Sequence, residues 1–249
     1  MGTVYLVGAG PGAADLLTVR AARLLARADV VLHDALIGGD VLALAARAEK
    51  IAVGKRCGAH STSQRFINKR LVDAARKAKV VVRLKGGDPM LFGRAHEEIA
   101  ALSAAGIRVE VVPGITAALA AAAEAKLSLT RRGVSRSVAF VTPRVGEGEN
   151  PGAWASAAAA CDTSVIYMGA GDAVAVATAL AAAGVPLTTP VALVESASDP
   201  SCAIHAGVLA GLPGLAAARG NGPALIVVGA VCAELAASLA LPGRHVAGG

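Results

Sequence analysis

VYLVGAGPG (Val4–Gly12) is an apolar run that breaks into a glycine-proline turn, and the same pattern of strand then glycine loop is repeated at RLKGGDP (Arg83–Pro89). Between them, VGKRCGAHS (Val53–Ser61) is a third such turn, carrying cationic and hydroxyl groups. Buried strands that each end in a glycine loop point backbone amides at one crevice, the usual ligand site of an open α/β sheet. Outward from these turns the pattern alternates strand and helix. Leu17, Ala21, Leu24, Leu25 and Ala28 recur at helical spacing over about Leu16–Arg27, with Asp15 placed to cap. A strand at Asp29–Leu32, a short helix near Val41–Ala46 and a strand at Ile51–Val53 follow. Ser61 and Gln64 have capping-box spacing ahead of a helix to about Ala78. VVVRL (Val80–Leu84) is continuous and rich in valine, as expected of a central strand covered on both faces. Helix Arg94–Ala105, stopped by Gly106, and strand Val109–Val112 complete the first unit.

After PGIT (Pro113–Thr116) the rhythm changes. Strands are predicted at Ser137–Thr142, Ser164–Met168, Pro190–Glu195, Cys202–Gly207 and Ala224–Gly229, with a helix at Asp172–Ala183 ended by Gly184. Too few residues separate Glu195 from Cys202 for a crossover helix, so this sheet is expected to be partly antiparallel. The expected fold is therefore α/β, with two α/β units and the active-site cleft between them. The boundaries are residues 1–113, residues 114–242 and a short tail, residues 243–249.

Composition narrows the function classes. The chain has 249 residues, a net charge of +6 and only 2% aromatic residues. Its cations come singly or in pairs rather than in runs, and few rings are present to stack bases, so nucleic acid is not the expected partner. A small polyanion suits the basic balance better. The four cysteines (Cys57, Cys161, Cys202, Cys232) lack metal-ligand spacing, so no metal is expected. No apolar stretch reaches the ~18 residues of a membrane span, and the start, MGTVYLVG, shows no signal peptide. The expectation is a soluble, cytoplasmic protein without a membrane partner.

Gly8, Gly10 and Ala13 satisfy G-x-G-x-x-[GA] after a strand, and Asp34 lies at the distance of a ribose-binding acid. An NAD(P)-dependent oxidoreductase is thus one alternative, and a plain structural turn is another. The dinucleotide mechanism needs the third small residue inside a helix facing the pyrophosphate. Pro11, Gly12 and the later capping signal at Asp15 argue for a wider loop.

GAGPG, VxxHDALI, VGKRxGxHSxxQxxIN, RLKGGDPxxFGR and VVPGITAA, in this order and spacing, resemble the uroporphyrinogen-III C-methyltransferase family of the tetrapyrrole methylase superfamily. The likeness continues through YMG (Tyr167–Gly169), ALVE (Ala192–Glu195) and PALIVVG (Pro223–Gly229). It implies transfer of two methyl groups from S-adenosylmethionine to carbons 2 and 7 of uroporphyrinogen III, giving precorrin-2 for sirohaem, cobalamin or haem d1 synthesis, by a homodimer. A later precorrin as substrate is the alternative within the superfamily. Carried over by position, the resemblance implies cofactor contacts at Pro11, Gly86, Gly87, Asp88, Leu91, Thr116, Ala117, Met168 and Ala197. For Met168 the residue-level alternative is core filling. Asp34 is implied as proton acceptor, with a turn residue as the alternative. Lys55 is implied as proton donor, although carboxylate binding fits its chemistry equally.

The implied substrate bears eight carboxylates, which makes Arg56, Arg94, Arg131 and Arg132 candidates for binding it. His60 and Ser61 either hydrogen-bond substrate or order their loop. The chain departs from the family pattern at His33 (ordinarily Tyr), at His96 (GRAHEE for GRGGEE), at Arg131 (LTRR for LTHR) and at Pro143–Arg144 (TPR for TGH).

Overall fold

The computed structural model describes residues 1–54, 64–146 and 152–239. They belong to two compact units, Met1–Ala117 and one beginning at Ala118. The first unit runs β1 (Thr3–Gly8), α1 (Val19–Arg27), β2 (Val30–His33), α2 (Gly39–Ala43), β3 (Glu49–Ala52), α3 (Gln64–Lys77), β4 (Val80–Lys85), α4 (Ala95–Ala104), β5 (Arg108–Val112). Among the described residues its strands form one sheet of order β3-β2-β4-β1-β5, and every neighbouring pair is parallel. The Val80 run lies at the centre, as its continuous valine-rich start predicts.

Strand alternation divides the core into two layers. Val4, Leu6 and Val81 pack beneath Ile67, Leu71 and Ala75 of α3 and Leu102 of α4. Val7, Val82 and Leu84 face the other way, against Ala21, Leu24 and Leu25 of α1 and Val41 of α2. With both faces covered, the C-terminal strand ends are where the parallel sheet opens to ligand.

The first helix differs from its expected start. Asp15 lies in a single 3-10 turn, Ala14–Leu16, and α1 begins only at Val19. Its cap is Thr18, whose side-chain oxygen accepts from the Ala21 amide at 3.2 Å. Thr18→Ala is expected to lower stability by about 1 kcal/mol, read as the midpoint of urea or thermal unfolding. Elsewhere among the described residues the ends shift by up to three residues, as at α2, which ends at Ala43 rather than Ala46. Gly106, with φ +68°, stops α4 where the sequence places the stop. The Ser61 capping signal lies outside the described residues.

The second unit contains most of α5 (Ala117–Glu124), then β6 (Val138–Val141), α6 (Trp154–Ala159), β7 (Thr163–Tyr167), α7 (Ala173–Ala182), β8 (Pro190–Glu195), β9 (Ala203–Val208), α8 (Leu212–Ala218), β10 (Ala224–Gly229) and α9 (Ala233–Leu239). Its sheet has the order β6-β7-β10-β8-β9. The β6–β7 pair is parallel; β7–β10, β10–β8 and β8–β9 are antiparallel. The short Glu195–Cys202 connection does make an antiparallel pair. Ile166, Leu193 and Ile226 from the strands meet Leu180 of α7 and Leu212 of α8 in the core. Because β7 and β8 both oppose β10, their C-terminal ends fall at the same edge of the sheet, alongside that of β6.

Candidate active site

The glycine loops of the first unit meet because they lack side chains. A Cβ on Gly8 would stand 2.6 Å from the Cα of Gly114 and from the carbonyl oxygen of Gly87. Real Cβ atoms do not approach so closely, so three strand-ending loops close up only with glycine there. Gly10 and Gly87 then pair as a bridge: the Gly87 amide donates to the Gly10 carbonyl at 2.7 Å, and the reverse bond is 3.2 Å. Both glycines have positive φ, +72° and +64°. Asp88 ties in the remaining loop, its Oδ2 accepting from the Gly114 amide at 2.9 Å and its Oδ1 from the Met90 amide at 2.8 Å. Its carboxylate is thereby committed to backbone, which leaves main-chain atoms as what this turn can offer a ligand.

Pro11, Gly86, Gly87, Asp88, Leu91, Thr116 and Ala117 all follow the C-terminal ends of β1, β4 and β5, three adjacent strands. A Cβ built on Gly86 meets nothing within 4 Å, and one on Gly87 meets only the Thr116 Cα and Ala117 amide, at 3.7 and 3.8 Å. This is a cradle of backbone with room above it, suited to a ligand that carries both charges at one end. The dinucleotide alternative loses its footing here. Ala13 is extended (φ −64°, ψ 136°) and no α-helix starts before Val19, so the fingerprint lacks the helix N-terminus its mechanism requires.

Asp34 follows β2, next to β4 in the same sheet, with its amide bonded to the Leu84 carbonyl at 3.2 Å. Its side chain is 33% exposed, and its Oδ1 accepts from an Arg83 guanidinium nitrogen at 2.5 Å. His33 turns its Nδ1 to the Asp34 carbonyl at 2.9 Å. A carbonyl only accepts, so that nitrogen bears the proton. Behind Asp34 lies a group of charges that the strand pattern did not bring out. Arg83 and Lys85 alternate onto the α3–α4 side of β4, and Glu98 of α4 is wholly buried there. Lys85 is held below the ordinary lysine range by burial, assisted by the neighbouring Arg83 and opposed by Glu98. The signal was present: two cations two residues apart inside a fully buried strand require a buried anion.

In the second unit, Met168 directly follows β7 and Ala197 lies just past the end of β8, at the same sheet edge. Met168 has φ +57° and is 48% exposed, so it does not fill the core. Ser196 and Ser198 flank Ala197 with φ +50° and +69°. Such non-glycine conformations persist where surrounding contacts impose them, and they cluster at ligand sites. The contacts are visible. Glu195 accepts from the amides of Gly220 and Gly222 at 2.8 and 2.6 Å, and the Ser196 amide donates to the Pro223 carbonyl at 2.8 Å. Pro143 and Arg144 follow β6 at this edge, and a Cβ on Gly169, beside Met168, would stand 3.4 Å from the Pro143 ring.

Of the candidate cations, Arg94 is engaged with its own helix, donating to both Glu97 oxygens at 2.7 and 2.9 Å. That hydrogen bond holds the Glu97 carboxyl below its ordinary range. Arg131 pairs with Glu234 at 2.7 Å, and Arg132 is exposed beside it. Lys55, Arg56, His60 and Ser61 lie outside the described residues. Among the described residues no group of three or more His, Cys, Asp or Glu could hold a metal ion.

Residues 3–213 match the family model of tetrapyrrole (corrin/porphyrin) methylases. A siroheme synthase of Chromobacterium violaceum is 49% identical over 240 residues, covering 96% of this chain and 51% of that protein. The chain thus spans about half the length of the curated relatives it matches. Among solved structures, uroporphyrin-III C-methyltransferase of Thermus thermophilus complexed with S-adenosylhomocysteine superposes with a TM-score of 0.82 at 41% identity, over 94% of this chain and 100% of that one. A cobalt precorrin-4 methyltransferase from cobalamin biosynthesis gives 0.79 at 30% identity, over 92% of this chain and 95% of that one. Two α/β sheets, glycine loops stitched at adjacent strand ends, and these matches agree: the chain belongs to the tetrapyrrole methylase family.

Proposed function

We propose that this chain methylates uroporphyrinogen III at carbons 2 and 7, using S-adenosylmethionine and releasing precorrin-2 and S-adenosylhomocysteine. Its main support is the 41% identity to the Thermus thermophilus enzyme over that enzyme's whole length, joined to the backbone cradle at Gly86–Gly87. S-adenosylmethionine supplies a methyl group on a positively charged sulfur. An electron-rich pyrrole carbon forms the new C–C bond as the S–C bond breaks, and a proton then leaves a neighbouring carbon to restore conjugation. Nothing in that sequence needs a metal or a covalent enzyme intermediate. It needs two reactants held in line, water kept out, and a base.

Gly86, Gly87 and the main chain of Asp88, with Pro11, Leu91, Thr116, Ala117, Met168 and Ala197, are proposed to bind the methyl donor, mostly through backbone. Asp34 is proposed to accept the proton. Lys55 is proposed to return one or to bind a carboxylate, while Arg56, His60, Ser61, Arg94, Arg131 and Arg132 pair with the acidic side chains of the macrocycle.

Incubation with methyl-labelled S-adenosylmethionine and freshly reduced uroporphyrinogen III should give a product carrying two labelled methyl groups. Absence of transfer would reject the proposal. The relationship to a cobalt precorrin-4 enzyme makes a later precorrin the natural competitor, so the same assay should include one. We infer further a cytoplasmic homodimer that acts on small molecules and not on nucleic acid or lipid. No described helix is long and apolar enough to cross a membrane, and the family likeness supports the dimer. Light scattering should give a mass near twice 24.5 kDa.

A further inference from the structure

Arg83, Lys85, Glu98 and Asp34 form one ion cluster spanning the covered face of the sheet and the open end of β2. Glu98 is fully buried, and its Oε1 accepts from Arg83 Nε at 3.0 Å, Lys85 Nζ at 3.1 Å and Gln64 Nε2 at 3.3 Å. Its Oε2 accepts from Lys85 Nζ at 3.1 Å. Arg83 is thereby held through all three of its nitrogens. Nε goes to Glu98, one terminal nitrogen donates to the Leu84 carbonyl at 3.1 Å, and the other donates to Asp34 Oδ1 at 2.5 Å.

We propose that Arg83, clamped by Glu98 and Lys85, is a positioning residue that fixes the Asp34 carboxylate for proton transfer. This rests on the reading of Asp34 as proton acceptor. Two buried cations need two anions nearby: Glu98 is one, and Asp34 is the second. With Asp34 ionised the four charges sum to zero. When Asp34 takes a proton from the methylated macrocycle, the cluster is left with one uncompensated positive charge. The guanidinium also holds one carboxylate oxygen in place, so the base is oriented before substrate arrives.

The charged and titratable groups facing Asp34 among the described residues are Arg83 and Lys85 from β4, Glu98 from α4 and His33 from its own strand. Of these, Arg83 alone touches the carboxylate, so its removal sets the sign. Loss of a neighbouring cation must raise the pH at which Asp34 titrates. The experiment follows that titration directly, as the 13C carboxyl shift of Asp34 in labelled protein, with Asp34→Asn supplying the assignment. In parallel, kcat and KM are measured against pH.

Arg83→Gln is expected to move the Asp34 titration upward, because the cation touching the carboxylate is gone. The acid limb of kcat should move with it, kcat should fall at least tenfold, and KM should stay. Arg83→Lys should bring the titration most of the way back, because charge is restored. It should not bring back kcat, because the fork is gone. An Asp34 titration that Arg83→Gln leaves unmoved overturns the proposal. Should Arg83→Gln not fold, an unchanged kcat in Arg83→Lys overturns it instead. If Asp34→Asn keeps full activity while Arg83→Gln still moves the carboxyl titration, the proton-acceptor reading fails and the electrostatic coupling stands. The two failures are therefore distinct.

Discussion

Asp34→Asn is expected to lower turnover by about 10²–10⁴-fold, the usual contribution of a positioned general base. Binding of S-adenosylhomocysteine, read by calorimetry, should be nearly unchanged. Asparagine keeps the shape and can still accept from Arg83, so the side chain loses its charge and its basicity without leaving a gap. The glycine loops proposed for the methyl donor hold together without Asp34. Gly10 pairs with Gly87, and Asp88 accepts from the Gly114 amide. The measured split between turnover and affinity therefore separates chemistry from architecture. Equal loss of both would make Asp34 a structural residue, consistent with its place beside a buried arginine. Retention of turnover would require a different proton acceptor.

The parallel sheet was legible in the sequence because it is written in long-range hydrophobicity. The Val80 run is rich in valine and buried on both sides, and it took the central position. The antiparallel character of β8 and β9 followed from a chain-length limit at Glu195–Cys202 that no tertiary contact could override. Helix starts were less legible. Asp15 and Thr18 are both good caps, and the choice fell to Thr18 because Asp15 is taken up in the 3-10 turn Ala14–Leu16 and the chain is extended again at Leu17. The short helices α6, α8 and α9 are dominated by alanine and leucine and present little amphipathic contrast, so the second unit's packing was visible only in three dimensions. At the site, the glycine turns announced themselves. The Arg83–Glu98 pair did not, since α4 shows a sequence of ordinary acidic residues until its register against β4 is known. Nor does sequence reveal that Met168, Ser196 and Ser198 adopt left-handed backbone, which sets them apart from ordinary strand-end residues.

Gly86→Ala and Gly114→Ala should behave in opposite ways, although each adds one methyl group to a glycine loop. On Gly114 the new carbon would fall onto the Gly87 carbonyl oxygen and within 2.8 Å of the Gly8 Cα. Backbone from two other strand ends cannot rotate away as a side chain can. The loops must part, and stability should fall by about 1–3 kcal/mol, as for other overpacked positions. On Gly86 the new carbon meets no protein atom within 4 Å, and the residue is not in the left-handed region. The folded chain should accept Gly86→Ala with an unchanged melting temperature. If the methyl donor occupies that open space, affinity for S-adenosylhomocysteine should nevertheless drop by tenfold or more, because the methyl group stands where a ligand atom approaches backbone. Glycine at this position would then serve the ligand and glycine at Gly114 would serve the fold. Full affinity in Gly86→Ala would move the donor off this turn and leave Gly10–Gly12 and Gly114–Ala117 as its supports in the first unit.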